Sequence, residues 1–265
     1  MKLGFIGLGN MATAMIGGIL EQGLVNSEEI IGSAKTEKTA GKVKEQYGIT
    51  TVIDNRRVAA SAEILFLAVK PIFFPEVIAE IRDVIPANTL VVSIAAGKSL
   101  QYMKDAFKRT DLKFVRCMPN TPALVGEGCT GVCAGEDVEA GELQQIITLL
   151  EAFGKAYVVP ERLMDVVVGV SGSSPAYVFL FIEAMADEAV AAGMPRRQAY
   201  DFAAQAVLGS AKMVLETGKH PGELKDMVCS PGGTTIEAVK VLEEKGFRAA
   251  VMDAMEACIE KSSKL

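Results

Sequence analysis

The segment Ser230-Pro231-Gly232-Gly233-Thr234-Thr235-Ile236 carries the residue types of an anion cradle at a helix start. Ser230 has the short side-chain oxygen of an N-cap, and Pro231 stands where a first-turn proline is favoured. Each of the two glycines costs a helix on the order of 1 kcal/mol relative to alanine, so helix stability alone does not account for them. Free N–H groups, the positive end of the helix dipole and the missing Cβ atoms suit a small anion. Gly232, Gly233 and Thr234 are expected to offer N–H groups and Thr235 a hydroxyl. The competing reading is a plain loop-to-helix junction.

A second constellation is Gly7-Leu8-Gly9-Asn10-Met11-Ala12, with the G-x-G-x-x-A spacing of a dinucleotide turn. The first glycine makes the turn, the second admits a pyrophosphate, and Ala12 permits close helix–sheet packing. The next strand ends Ile31-Gly32-Ser33, where an NAD enzyme usually offers an acid to the ribose. Ser33, Lys35, Thr36 and Lys38 supply hydroxyls and positive charge instead, which favours NADP(H), although Glu37 works against it. NAD(H) stays as the alternative.

Ala68-Val69-Lys70-Pro71 and Ser93-Ile94-Ala95-Ala96-Gly97 both end strands, where open α/β sheets bind ligands. Ala95, Ala96 and Gly97 are small enough for a nicotinamide to pass. Lys70 reads either as catalytic or as a cofactor-holding residue before a turn. Arg116 to Pro122, with two prolines, reads as a rigid structural turn.

Positioning these residues requires a parallel sheet followed by helices. Residues 2–6, 30–33, 64–69, 89–94, 113–116 and 157–159 are predicted strands, and 10–22, 36–47, 74–84 and 138–153 predicted helices. After Val159-Pro160 only long helical segments follow. Residues 175–192 are apolar nearly all round, and 198–217 carry Ala203, Ala204, Ala206, Gly209 and Ala211. The expectation is a Rossmann-type α/β dinucleotide-binding domain over 1–160 and an all-helical domain over 161–265 that dimerises.

The 265-residue chain is half hydrophobic, 23% charged and carries a net charge of -6, which argues against a nucleic-acid groove. A mean hydropathy of +0.28 points to apolar surface covered by another subunit. Gly7, Gly9 and Asn10 interrupt the N-terminal apolar run, against a signal peptide. No uninterrupted apolar stretch is expected to reach membrane-spanning length. Cys117, Cys129, Cys133, Cys229 and Cys258 form no disulfide-like framework and have one histidine to share, so reduced thiols in a cytoplasmic protein are expected and no metal.

Together the Gly-x-Gly turn, Ala68–Pro71, Arg116–Pro122, Ser171-Gly172-Ser173-Ser174-Pro175-Ala176-Tyr177 and His220-Pro221 leading into Cys229–Ile236 resemble the pyrroline-5-carboxylate reductase family over essentially the whole chain. The family usually has Gly where Ser174 stands. The resemblance implies NAD(P)H-dependent reduction of 1-pyrroline-5-carboxylate to L-proline, the last step of proline biosynthesis. It also implies a homodimer, with decamers of five dimers in many members, and a substrate cleft between nucleotide and helical domains. By motif, Ser230, Thr234 and Thr235 would hold the substrate, Glu161 matches a substrate-side position and Asn55 one near the adenosine ribose.

On that basis the substrate carboxylate is expected at the Ser230 helix start, with Thr235 hydrogen-bonding the ring nitrogen of an already protonated iminium. His220 reads as a turn residue between helices. The runner-up is a 3-hydroxyacid dehydrogenase, which shares a Gly-Leu-Gly-x-Met start, but the helix lysine of those enzymes has no counterpart in Ser171–Tyr177. A nucleotide-binding regulatory protein without catalysis would have no reason to keep Gly232-Gly233-Thr234-Thr235.

Overall fold

The computed structural model describes residues 1–264. The short apolar runs form one eight-stranded sheet: β1 Leu3–Ile6, β2 Ile30–Ser33, β3 Thr50–Val52, β4 Ile64–Leu67, β5 Leu90–Ser93, β6 Lys113–Met118, β7 Gly128–Ala134 and β8 Gly154–Val158. Their order is β3-β2-β1-β4-β5-β6-β7-β8. The first six are parallel, β7 runs antiparallel to β6, and β8 is parallel to β7. The order reverses at β1 and β4, and ligands of such sheets bind outside the strand ends at that point.

Side-chain alternation builds a core on each face. Leu3, Phe5, Ile64, Phe66, Leu90 and Val92 enter one cluster, while Ile6, Leu65, Leu67 and Val91 enter the other. Phe5 stacks on Phe66 across the parallel β1–β4 pair, with ring centroids 4.7 Å apart. Helices α1 Asn10–Glu21, α2 Glu37–Tyr47, α3 Asn55–Ser61, α4 Phe74–Ile81, α5 Leu100–Phe107 and α6 Ala140–Glu151 connect the strands.

Four of these elements escape the sequence reading. β3 has three residues at the sheet edge, and β7, Gly-Cys-Thr-Gly-Val-Cys-Ala, is too rich in small residues to read as a strand. The helices α3 and α5 are short, but each has a legible start. Asp54 accepts from Arg56 N–H and Ser99 from Tyr102 N–H.

The sheet belongs to a compact unit of 1–173 together with the chain from Cys258, and Ser174–Ala257 forms a second unit. The sequence-based boundary at 160 therefore falls inside the first unit. The short helix α7 Met164–Val167 and the π-helical turn Val168–Gly172 are tied into the first unit by side chains. Asn120 Nδ2 donates to the Ser171 carbonyl at 2.9 Å, and Ser262 Oγ donates to Asp165 at 2.7 Å. Pro175, four residues beyond Ser171, has no N–H to give that carbonyl, so Asn120 supplies the missing donor.

The second unit is all helical: α8 Ser174–Ala191, α9 Arg196–Thr217, α10 Pro221–Val228, α11 Thr234–Glu244 and most of α12 Phe247–Ser262. α8 and α9 pack on each other, and Phe181 meets Phe247 at 6.0 Å. Phe179, Leu180, Phe202 and Leu215 stay exposed, Leu215 by 80%. The helical run Glu161–Ala191 is long and apolar enough to cross a membrane by length and composition, which corrects the expectation that no stretch reaches that length. Within that run the π turn is closed by Ser173 N–H bonded to the Val168 carbonyl at 2.8 Å.

Candidate active site

At the end of β1 the chain turns through Gly7 at φ +97°, and a Cβ there would stand 2.8 Å from the Ala68 carbonyl oxygen. That closeness excludes any side chain at Gly7. Gly9 is the N-cap of α1, with no side chain capping the helix and no acid in its first turn. A Cβ on Gly9 would meet no protein atom within 4 Å. Its glycine is thus explained by space left above the helix N-terminus, where first-turn N–H groups face outward. The residues fit a dinucleotide pyrophosphate.

At the end of β2 the hydroxyl of Ser33 is fully buried and donates to Asn55 Oδ1 at 2.7 Å. Asn55 Nδ2 in turn donates to Glu80 Oε2 at 2.7 Å. Ser33 therefore offers no exposed hydroxyl to a ribose phosphate; it orients Asn55. Lys35 is exposed, its ammonium 5.6 Å from the Phe73 ring, and Thr36 is occupied as the N-cap of α2.

Beyond β4, Ala68 N–H donates to the Ile6 carbonyl at 2.8 Å, and Lys70 precedes a 3-10 turn begun by Pro71. Beyond β5, Ala95 is buried and Gly97 turns the chain at φ +72°. These segments lie with Gly7 at the carboxyl ends of neighbouring parallel strands. Glu161 Oε1 accepts from Leu100 N–H at 2.7 Å and lies 3.5 Å from Nη1 of Arg116, whose side chain is only 6% exposed. Arg116 Nη2 is 3.9 Å from Asp165. A buried guanidinium needs such partners. Sequence reasoning anticipates a structural role for Arg116 but has no signal for these partners.

The Ser230 segment departs from expectation in detail. Ser230 is not an N-cap: α11 begins at Thr234 with Gly233 as its cap. Ser230-Pro231-Gly232-Gly233 forms a tight turn closed by Gly233 N–H to the Ser230 carbonyl at 3.0 Å. Pro231 and a left-handed Gly232, φ +66°, suit the two central positions of a type II turn. A Cβ on Gly233 would collide with Ser230 Oγ. The glycines thus build the turn and do not weaken a helix, and the Gly233 N–H is already used. The opening turn of α11 remains, with N–H groups of Thr234, Thr235 and Ile236 outside the intrahelical ladder and no side chain capping them.

His220 caps α10, its Nδ1 accepting from Gly222 N–H at 3.0 Å. All five cysteines are free. Burial raises the Cys117 thiol well above its ordinary range and pushes Cys133 up to about 11. A cavity of about 850 Å³ has no residue of the Gly7–Met11 turn in its lining, which includes Thr13, Gly17 and Glu21 of α1 with Leu124, Glu127 and Lys155.

A family model for pyrroline-5-carboxylate reductase dimerisation matches residues 161–265, and one for coenzyme F420-dependent NADP oxidoreductases matches 2–97. A pyrroline-5-carboxylate reductase of Escherichia coli K12 is 54% identical over all of this chain and 98% of its own. The chain belongs to the pyrroline-5-carboxylate reductase family. A solved pyrroline-5-carboxylate reductase of Coxiella burnetii superposes with a TM-score of 0.91 at 33% identity, covering 99% of this chain and 97% of its own. The Plasmodium falciparum enzyme with NADP bound gives 0.90 at 31%, covering 100% and 97%. Membership makes the chain an NAD(P)-dependent oxidoreductase acting on a C=N bond, in the reductase step of proline biosynthesis. The dimerisation match explains the bare apolar helices of the second unit as self-association surface. A 3-hydroxyisobutyrate dehydrogenase of Mycobacterium tuberculosis matches at 13% identity and TM-score 0.51, a likeness of fold alone, so the dehydrogenase reading gives way to the reductase.

Proposed function

We propose that the chain reduces 1-pyrroline-5-carboxylate to L-proline with the substrate carboxylate held at the N-terminus of α11. The observation that carries this reading is the uncapped first turn of α11, presented by the Pro231-Gly232 turn. An anion completes such a helix end, gaining N–H hydrogen bonds and the dipole. Ser230 and the Thr234 hydroxyl flank the carboxylate, and the Thr235 hydroxyl accepts from the protonated ring nitrogen. The bound dinucleotide supplies hydride to the imine carbon. Orientation of a pre-protonated iminium is then the chain's main contribution. Thr235→Val should cut turnover at least tenfold while dinucleotide affinity stays within about threefold; unchanged turnover would sink this role.

For the cofactor, the Gly7–Met11 turn supports the pyrophosphate, and Ala68–Pro71 with Ala95–Gly97 supports the nicotinamide half. Lys35 is the cation we assign to a 2′-phosphate, in favour of NADP(H) over NAD(H), while Asn55 sits at the ribose side with Ser33 behind it. The assembly we propose is a homodimer, with a decamer of five dimers as its larger form, located in the cytoplasm in keeping with five free thiols. Solution scattering measures the assembly.

A further inference from the structure

The loop from Ile94 to Ser99 joins β5 to α5 and is fastened at both ends. Ile94 N–H donates to the Leu67 carbonyl and Ala95 N–H to Ser93 Oγ, each at 3.3 Å. At the far end Ser99 caps α5, and Leu100 N–H donates to Glu161 Oε1 across 61 residues of sequence. Leu100 is the first residue of α5, so its N–H has no partner inside the helix, and a carboxylate there also gains from the dipole. The same oxygen faces the buried Arg116, whose second terminal nitrogen faces Asp165, itself held by Ser262. Between the two anchors stand only small residues, Lys98 and the turn at Gly97. The far end of the loop is thus held by the Ser99 cap, by the Lys98 ammonium 4.7 Å from the Tyr102 ring, and by one charged side chain backed by a buried cation.

We propose that Glu161 is a positioning residue for hydride transfer: it fixes the Ala95–Ser99 loop, and with it the nicotinamide ring that the loop bounds, and does not bind substrate. The proposal rests on the reading that this loop lines the nicotinamide. It departs from the substrate-side role that the family resemblance implies for Glu161, because Oε1 of its carboxylate is engaged by the Leu100 N–H and Arg116, which ties the side chain to the start of α5. A misplacement on the order of 1 Å in a reacting group costs about 100-fold in rate, so a loosened anchor is read in turnover before it is read in affinity.

The test uses the full-length enzyme. Glu161→Gln keeps an oxygen for Leu100 N–H, Glu161→Asp withdraws it by one methylene, and Leu100→Pro deletes the N–H at a helix position that tolerates proline. Dinucleotide affinity is read by NADPH fluorescence, imine KM and kcat by NADPH oxidation, and hydride transfer by the isotope effect with NADPH deuterated at C4. The expected result is kcat within about threefold of wild type for Glu161→Gln. For Glu161→Asp and Leu100→Pro, kcat should fall about 10- to 100-fold with a larger isotope effect, while affinity and KM hold within about threefold. A raised imine KM with kcat kept, equal in Gln and Asp, would make Glu161 a substrate ligand and overturn the proposal alone. A lowered Tm with an unchanged isotope effect would make Glu161 merely structural and overturn the proposal as well. Wild-type protein that binds no dinucleotide would overturn the cofactor reading and this proposal with it.

Discussion

Gly7 and Ala68 sit back to back at the sheet's switch point, so close that a Cβ on Gly7 would stand 2.8 Å from the Ala68 carbonyl oxygen. The glycine is therefore required twice, by its φ of +97° and by its neighbour's backbone. Strain of the first kind costs about 1–3 kcal/mol, and the backbone contact cannot be relieved by a rotamer. Gly7→Ala should lower Tm and abolish dinucleotide binding, measured by thermal unfolding and fluorescence titration, whereas Gly9→Ala, with open space around it, should weaken binding and leave Tm near wild type.

The α11 turn makes a graded prediction. Gly232→Ala meets no neighbour and carries only left-handed strain, about 1 kcal/mol. Gly233→Ala collides with Ser230 Oγ and crowds the Ser230 carbonyl oxygen, so the serine hydroxyl that flanks the carboxylate must rotate away. The second variant should raise the imine KM more than the first, with dinucleotide affinity unchanged in both.

His220 is the only histidine, and its Nδ1 is occupied as a helix cap. His220→Asn should retain activity and stability, because asparagine caps equally well. His220→Ala should lose about 1 kcal/mol in denaturant unfolding, again with activity kept. A large loss of kcat in the asparagine variant would return the histidine to the chemistry.

The buried thiols predict the alkaline limb of stability. Cys133 titrates near 11 in the folded chain, pushed up chiefly by burial, and near 9 when unfolded. The folded state therefore holds more protons in that window, and stability is full below about pH 9 and declines as pH rises towards 11. Cys117, raised for the same reason, adds to the slope. Denaturant unfolding from pH 8 to 10.5 should show the decline, and Cys133→Ser should flatten it. In the native protein a thiol reagent at pH 8 should leave Cys117 and Cys133 unmodified.

The cofactor preference turns on Lys35. Lys35→Ala should raise the Kd of NADPH several-fold more than that of NADH, and Ser33→Ala should act on both equally through Asn55. Equal loss of both dinucleotides in the lysine variant would remove Lys35 from the 2′-phosphate.

Much of the fold is legible in the chain itself. The unbroken runs without a charged or polar side chain, Leu3-Gly4-Phe5-Ile6 and Ile64-Leu65-Phe66-Leu67, announce buried parallel strands, and the Gly-Leu-Gly turn between Ile6 and Met11 announces what lies beyond them. The Pro-Gly-Gly-Thr-Thr segment is legible as a special helix start, yet local rules place its cap three residues early, because Ser230 satisfies them as well as Gly233 does. β7 stays hidden since its stability comes from two neighbours, β6 and β8, and not from its own small side chains.

Sequence by itself determined most of the strands and helices, the Gly-x-Gly turn and the family, since helix and strand periods and turn residues act over a few neighbours. Only the tertiary structure decided that Glu161 holds Leu100, that Asn120 replaces the donor Pro175 lacks, and that Ser33 turns inward to Asn55. Those bonds join residues 61, 51 and 22 positions apart. Which donor meets which acceptor over such spans is set by strand order and packing, and no local propensity encodes it.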